Sequence, residues 1–354
     1  MKTEVISIHP EFPDIRSIVR CAQVIRDGGL VIFPTETVYG IGADFKNPQA
    51  MHRLREVKKR SENKPFSVLI SQPGLITNYT NLSTPMLYKL IDAYWPGPLT
   101  IVVPGKEGEE TIGVRMPDNA IALKLVQESK SIFAAPSANF EGNPPPLTCA
   151  EALKDLDGLV EVAIDGGPAR LGKGSTVVDL TKDEPKVLRE GVITQTDIDK
   201  TTSKKTILFV CTGNSCRSVM AEYLLKSRIH HRNDIEVYSA GTGVFLRSTA
   251  SSETVSVLHD EGIDATKHLS QGINSILLKK ADLIFVMTHN HRQHVLERAP
   301  EVEHRVYMLR EFVNNPSGFQ TELDIPDPMG HSHAEYKHCL SVIREAVDKI
   351  VELI

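Results

Sequence analysis

The segment Thr206–Ser218, TILFVCTGNSCRS, constrains the chain more than any other. Thr206 and four apolar residues make a short buried strand, a tight loop rich in small polar residues follows, and a helix must begin near Ser218. Loop amides and a helix N-terminus together form an anion site. Cys211 opens the loop, so its sulfur would lie beneath a bound anion, with local N–H groups favouring the thiolate. Arg217, six residues on, carries a planar fork that matches two equatorial oxygens of a phosphoryl group. Asn214 is placed to brace the loop, and the Ser218 hydroxyl to donate to the Cys211 sulfur. Transfer of a phosphoryl group to sulfur needs an acid for the leaving group. Asp327, stiffened by Pro328 in IPDPMG, has the chemistry for that role.

The same half alternates regularly. Strands are expected at EVYSA, ADLIFVM and RVYML, with helices at SSETVSVLHDEG, HNHRQHVLERAP and from His333 to the end. This pattern predicts a doubly wound parallel sheet. Its Cys-x5-Arg-Ser loop, SAGT at Ser239–Thr242, MTHNH at Met287–His291 and the late Asp-Pro resemble the low-molecular-weight protein-tyrosine phosphatases over residues 204–354. Position 215 is Ser, where phosphotyrosine enzymes of that family usually carry a bulky aliphatic residue and the bacterial protein-arginine phosphatases carry Thr. Met329-Gly330 follow the Asp-Pro, with no aromatic ring to sandwich a phenol. The resemblance therefore implies hydrolysis of protein phosphoarginine through a phosphocysteine, with Ser215 polarising the guanidinium; phosphotyrosine is the alternative. The loop also looks like that of the thioredoxin-linked arsenate reductases, but the two extra mid-domain cysteines those enzymes need are missing. Loss of catalysis, leaving a phospho-binding domain, is disfavoured by the intact Cys211, Arg217 and Asp327. Cys216 admits two readings, core packing or capture of an oxidised Cys211. Eleven of the 13 histidines fall here, at spacings that match no closed metal site; His291 has the position to support the loop.

A chain of 354 residues is long enough for two domains. The stretch ITQTDIDKTTSKKT is polar with little to bury, and places a linker near 194–205 between domains at 1–200 and 204–354. The earlier half predicts a helix over Asp14–Asp27 stopped by Gly28-Gly29, then a strand at LVIF. Asn47-Pro48 should start a helix reaching about Lys59. PFSVLI, LTIVVP, TIGVRM, IFAAPS, VEVAID and STVVDL read as strands, with helices near 84–94, 119–129 and 148–156. The irregular order predicts an α/β domain with a mixed sheet.

Gly167-x4-Gly172-Lys173 approaches a phosphate-binding loop, but Gly174 and a following strand break that pattern. Instead, cationic and small polar residues sit at strand ends: PTETVYG, VKKRSENKPF, WPGPLT, VRMP, PSAN, GSTVVDL and VLREG. Their order resembles the YrdC-like threonylcarbamoyl-adenylate synthases over about 5–198, including paired Lys58/Arg60 and Ser137/Asn139 signatures. That likeness implies a twisted mixed sheet and condensation of L-threonine, bicarbonate and ATP to threonylcarbamoyl-AMP and pyrophosphate for tRNA modification. It places Thr35, Arg115, Ser137 and Ser175 toward threonine, and Lys58, Arg60, Thr111, Asn139 and Arg189 toward ATP. A cavity lined by Lys58, Arg60, Lys64, Arg115 and Arg189 would hold the several anions together, with Mg²⁺ bridging phosphates through water. The product would pass to a separate tRNA-modifying transferase complex. Ser61 stands where the family commonly has Pro, and the extra C-terminal domain of longer relatives is replaced by the phosphatase-like half.

Net charge is −5, divided as −3 before residue 204 and −2 after it. Neither half has the basic excess of a stable nucleic-acid binder, which disfavours a double-stranded-RNA module as the alternative for the first half. Five irregularly spaced cysteines suggest no disulfide framework, and a reducing cytoplasm is the expected setting. No apolar run is long enough to span a membrane.

Overall fold

The computed structural model describes residues 2–61, 65–106, 111–313 and 323–354. Two compact units emerge: one contains residues 1–82 and 90–201, the other 83–89 and 202–354. The strands of the first unit are β1 (Glu4–Ser7), β2 (Val31–Phe33), β3 (Gly40–Asp44), β4 (Ser67–Leu69), β5 (Leu99–Val103), β6 (Ile112–Arg115), β7 (Phe133–Ala134), β8 (Val162–Asp165), β9 (Thr176–Asp179) and β10 (Lys186–Arg189). They join in the order β1-β8-β2-β3-β7-β4-β6-β5-β9-β10. Parallel pairs such as β1/β8 and β4/β6 alternate with antiparallel ones such as β2/β3 and β5/β6, so the sheet is mixed.

Helices α1 (Ile15–Arg26), α2 (Pro48–Lys58), α3 (Pro85–Tyr94), α4 (Ala120–Ser129), α5 (Cys149–Leu156) and α6 (Gln195–Ser203) lie between the strands in sequence. The run LVIF is continuously apolar because both faces of β2 are covered. Val31 and Phe33 pack with Ile18 and Ile25 of α1 and Ile121 and Leu125 of α4. Leu30 and Ile32 face the other way, toward Leu54 of α2 and Ala152 of α5. Helix α2 begins where Asn47 accepts bonds from the Gln49 and Ala50 amides, and ends at Lys59 in a left-handed conformation, φ 53°.

The boundary between the two units falls after Thr201, inside the stretch where polarity placed the linker, but that stretch is ordered. Most of the stretch is α6. Thr194 and Asp197 cap each other's amides, the Asp197 carboxylate accepting at 2.9 Å and the Thr194 hydroxyl at 3.2 Å. Ile198 is buried, and the Gln195 side chain accepts a bond from the Val187 amide. A reciprocal cap and one buried apolar residue are enough to order a segment whose composition reads as loop. The strands β1, β3 and β10 also escaped the sequence pattern: β1 and β10 are exposed edges, and β3 is GIGAD, with little β propensity.

The second unit has four parallel strands, β11 (Lys205–Cys211), β12 (Ile235–Gly241), β13 (Leu283–Val286) and β14 (Val306–Met308), ordered β12-β11-β13-β14. Its helices are α7 (Arg217–Arg228), α8 (Ser252–Asp260), α9 (Ser275–Lys280), α10 (His289–Arg298) and α11 (His333–Leu353). Alternate residues of β11 serve opposite layers. Ile207 and Phe209 pack against Met220 and Leu224 of α7 and Ile343 of α11. Leu208 and Val210 pack against Leu278 of α9 and Val295 of α10. The order turns back at β11, and the carboxyl end of that strand is where such a sheet offers a crevice.

Candidate active sites

Strand β11 delivers Cys211 to the edge of the core, 2% exposed. The chain then curls so that the Asn214 amide donates to the Cys211 sulfur at 3.3 Å, and the Ser218 hydroxyl lies 2.9 Å from the same sulfur. Asn214 adopts φ 51°, a left-handed turn that Asn tolerates better than most residues. It is held from all sides. Its side-chain amide donates to Ser239 at 2.7 Å and to Ser218 at 3.1 Å. Its side-chain oxygen accepts from the Gln271 amide at 2.9 Å, and its carbonyl oxygen lies 2.9 Å from His268 Nε2. Ser239 in turn donates to Glu222. Gly241, in the SAGT segment, packs directly under the loop: a Cβ there would meet the Thr212 carbonyl oxygen at 2.3 Å. This explains a glycine at that position.

Arg217 is the first residue of α7 and is 4% exposed. Its Nη1 donates to the Ile325 carbonyl at 3.0 Å and its Nη2 to Asp327 Oδ2 at 2.5 Å, which brings the Asp-Pro loop to the cysteine loop across 110 residues. No side chain caps α7, so its first-turn amides stay turned toward the loop. Ser215 is half-buried, with its hydroxyl 3.6 Å from Cys216 Sγ. Met329 is exposed, and its amide donates to Asp327 Oδ1 at 3.2 Å. Cys216 belongs to the core cluster, near the hydroxyls of Ser251 (3.4 Å) and Tyr336 (3.5 Å).

His291 closes the far side. Its Nε2 lies 2.8 Å from the Thr212 hydroxyl and its Nδ1 2.9 Å from the Thr288 hydroxyl. Burial, then the nearby Arg217 charge, pushes its pKa down to about 4. The ring is thus neutral at pH 7. Below about pH 6.5 the unfolded chain takes up a proton that the folded ring refuses until about pH 4, so stability falls across that window by up to about 3 kcal/mol. A His291→Gln variant is expected to lose this part of the acid sensitivity, read as the difference in urea midpoint between pH 7.5 and 4.5 for the two proteins.

In the first unit, the strand-end motifs also gather, although they are spread over 150 residues of sequence. Thr35 and Glu36 follow β2, and Arg115 ends β6. Arg115 Nη2 donates to Glu36 Oε1 at 2.6 Å and its Nε to the Gly97 carbonyl at 3.1 Å; both side chains are almost wholly buried. The Thr35 hydroxyl donates to the Val38 carbonyl at 2.6 Å, fixing the PTETVYG turn. Ser175 lies 2.8 Å from the Thr100 hydroxyl, and Arg189 Nη2 donates to the Ser175 carbonyl at 2.8 Å. Burial, then the charge of nearby Arg115, lowers the Arg189 guanidinium from its ordinary value.

The Lys58 ammonium donates to the carbonyls of Ser137 and Asn139, the latter at 2.8 Å, so the two paired signatures do meet. Burial, then the Arg60 charge, pulls it down to about 8. Asn139 donates to the carbonyls of Phe140 and Asn143, while its own buried side-chain oxygen has no partner among the described residues. Arg60 lies over the Phe66 ring at 4.9 Å. Thr111 is exposed just before β6, and Lys64 lies outside the described residues. Glu36 was missed by sequence reasoning. Nothing in PTETVYG separates it from a solvated surface acid, and only the fold brings Arg115, 79 positions away, to its carboxylate.

Comparison with known proteins agrees with both geometries. Residues 23–191 match the Sua5/YciO/YrdC family, described as telomere recombination. Residues 206–354 match the low molecular weight phosphotyrosine protein phosphatase family. The threonylcarbamoyl-AMP synthase of Bacillus subtilis is 38% identical over 191 residues, covering 51% of this chain and 55% of that protein. The chain therefore spans only about half the length of that relative. A putative threonylcarbamoyl-AMP synthase of Mycobacterium tuberculosis is 37% identical over 186 residues, 50% of this chain and 85% of the relative. The crystal structure of Pyrococcus abyssi Sua5 complexed with L-threonine superposes with a TM-score of 0.54 at 26% identity, covering 86% of this chain and 99% of that one. The chain thus belongs to the Sua5/YciO/YrdC family through its first half and, through its second, carries a domain of the low-molecular-weight phosphatase family.

Proposed function

We propose that the chain is a bifunctional enzyme. Its first unit condenses L-threonine, bicarbonate and MgATP to threonylcarbamoyl-AMP, pyrophosphate and water. Its second hydrolyses protein phosphoarginine. The observation that carries the second reading is the Cys211 sulfur held at 2.9 Å from Ser218 and 3.3 Å from the Asn214 amide, beside the Arg217–Asp327 pair. Sulfur attacks phosphorus, and the bond to the leaving nitrogen breaks as Asp327 supplies its proton. Water then cleaves the S–P bond, with Asp327 taking the proton back. A bound phosphoryl group would compete for the Arg217 Nη atoms and free Asp327 for this work. Ser215 supplies a hydroxyl at the loop where an aliphatic side chain would favour a phenol, and Met329 supplies no ring for stacking.

For the first unit, the carrying observation is that Arg189 meets Ser175 and feels the charges of Arg115 and Arg60, while Lys58, at the end of α2, feels that of Arg60, so these cations share one region as donors suited to carboxylate and phosphate groups. The first-half match to synthases supports the reaction class. The reaction needs no protein-held metal; Mg²⁺ arrives with the nucleotide.

Two assays on the intact chain test these readings. Pyrophosphate release should require threonine and bicarbonate together; release without threonine would sink the synthase reading. Phosphoarginine peptides should be cleaved at least about 10-fold faster than phosphotyrosine peptides, and Ser215→Leu should reverse that order, a change of ~1–3 kcal/mol in transition-state discrimination. Equal rates on both substrates, before and after the substitution, would overturn the arginine assignment.

A further inference from the structure

Glu36 has a carboxylate that the fold has only half used. The residue is 2% exposed. Its Oε1 accepts from Arg115 Nη2 at 2.6 Å, while Oε2 is buried with no hydrogen-bond partner among the described residues. The backbone is fixed as well, since the Glu36 carbonyl accepts from the Leu171 amide at 2.8 Å. A buried charged oxygen without a donor is costly, and in a native fold it calls for a ligand or water to supply one. The residue lies between Thr35 and Arg115, which the proposed reaction turns toward threonine. Arg115 suits the amino acid's carboxylate; nothing else among the described residues in that group is an anion suited to its ammonium. Thr35, Thr100 and Ser175 are neutral, and Arg115 and Arg189 would repel it.

We infer that Glu36 is the acceptor for the amino group of the threonine substrate, with Oε2 receiving an N–H donor from the ammonium while Oε1 keeps Arg115 aimed at the carboxylate. The pair Glu36–Arg115 then reads both charged ends of an α-amino acid with one ion pair. The ammonium first passes one proton along this hydrogen bond to Oε2, which frees the nitrogen lone pair; that pair forms the N–C bond to the bicarbonate carbon as a C–O bond of bicarbonate breaks, and the departing hydroxide takes the second nitrogen proton and leaves as water. This inference rests on the synthase reading of the first unit.

The test is direct binding by calorimetry to the intact chain of two ligands, L-threonine and its deaminated counterpart 3-hydroxybutanoate, which keeps the carboxylate and hydroxyl. The wild type should favour threonine by at least about 10-fold. Glu36→Gln, which preserves shape and can still accept from Arg115, should lose threonine affinity by about 10–100-fold and bind the deaminated ligand unchanged. Threonine binding to the variant should partly recover as pH rises toward 9, where the free amine replaces the ammonium. Equal losses for both ligands would show that Glu36 acts only by holding Arg115, and would overturn the inference. An unchanged threonine affinity would do the same. Failure of the wild type to bind threonine at all would strike the synthase reading itself, a result distinct from either.

Discussion

Replacing Cys211 with Ser is expected to reduce phosphate release from any phosphoprotein substrate by at least ~10⁴-fold and to leave threonine-dependent pyrophosphate release unchanged. The serine hydroxyl is a far weaker nucleophile than a thiolate, and the loop is built around sulfur. The Asn214 amide and the Ser218 hydroxyl both address that atom. Neither partner can activate a serine, because neither is a base. His291 is turned away toward the hydroxyls of Thr212 and Thr288, so it does not substitute as one. The substitution removes one heavy-atom exchange from a site otherwise pinned by Asn214 and Gly241, so folding should be unaffected. Parallel assays of the two activities on the same preparation check the expectation. A variant that keeps more than a hundredth of the wild-type phosphatase rate would mean that another group carries the phosphoryl transfer.

The second large effect concerns the buried ion pair of the first unit. Arg115→Met is expected to abolish threonine-dependent pyrophosphate release and to destabilise the first unit by roughly 3–5 kcal/mol. The cost arises less from the lost attraction than from leaving the Glu36 carboxylate buried with neither oxygen bonded. The double variant Arg115→Met, Glu36→Gln should therefore recover much of the stability, because no uncompensated charge remains, but none of the activity. Thermal or urea unfolding of both variants, with pyrophosphate release measured alongside, separates the two effects. A single variant as stable as the double one would show that the pair does not carry this electrostatic cost. The phosphatase rate offers an internal reference, since Cys211 and its partners lie wholly in the other unit.

Much of the phosphatase-like site was legible because its chemistry is local. Cys211, Asn214, Ser215, Arg217 and Ser218 fall within eight residues, and a strand–loop–helix has few ways to fold. Asp327 could be proposed from its Asp-Pro context, yet only the structure shows it paired with Arg217. That Asn214 braces the loop was legible, but its partners Ser239, His268 and Gln271 were not, because they stand 25, 54 and 57 positions away. The first-unit site shows the opposite balance. Its residues come from the ends of five strands and of helix α2, and each alone looks like an ordinary loop cation or turn.

The sequence alone determined most of the elements and their faces, since periodicity and capping are local properties. Asn47-Pro48 starts α2, and the alternating faces of LVIF and TILFV follow from continuous apolar runs buried on both sides. It also specified the cysteine loop. Tertiary structure decided the rest: the ten-strand order of the first sheet, the helix formed by the polar residues 195–203, and the meeting of Glu36 with Arg115. These depend on which distant segments become neighbours. A surface acid and a buried carboxylate are written with the same letter, and only the burial around Glu36 and the cation brought to it make the difference.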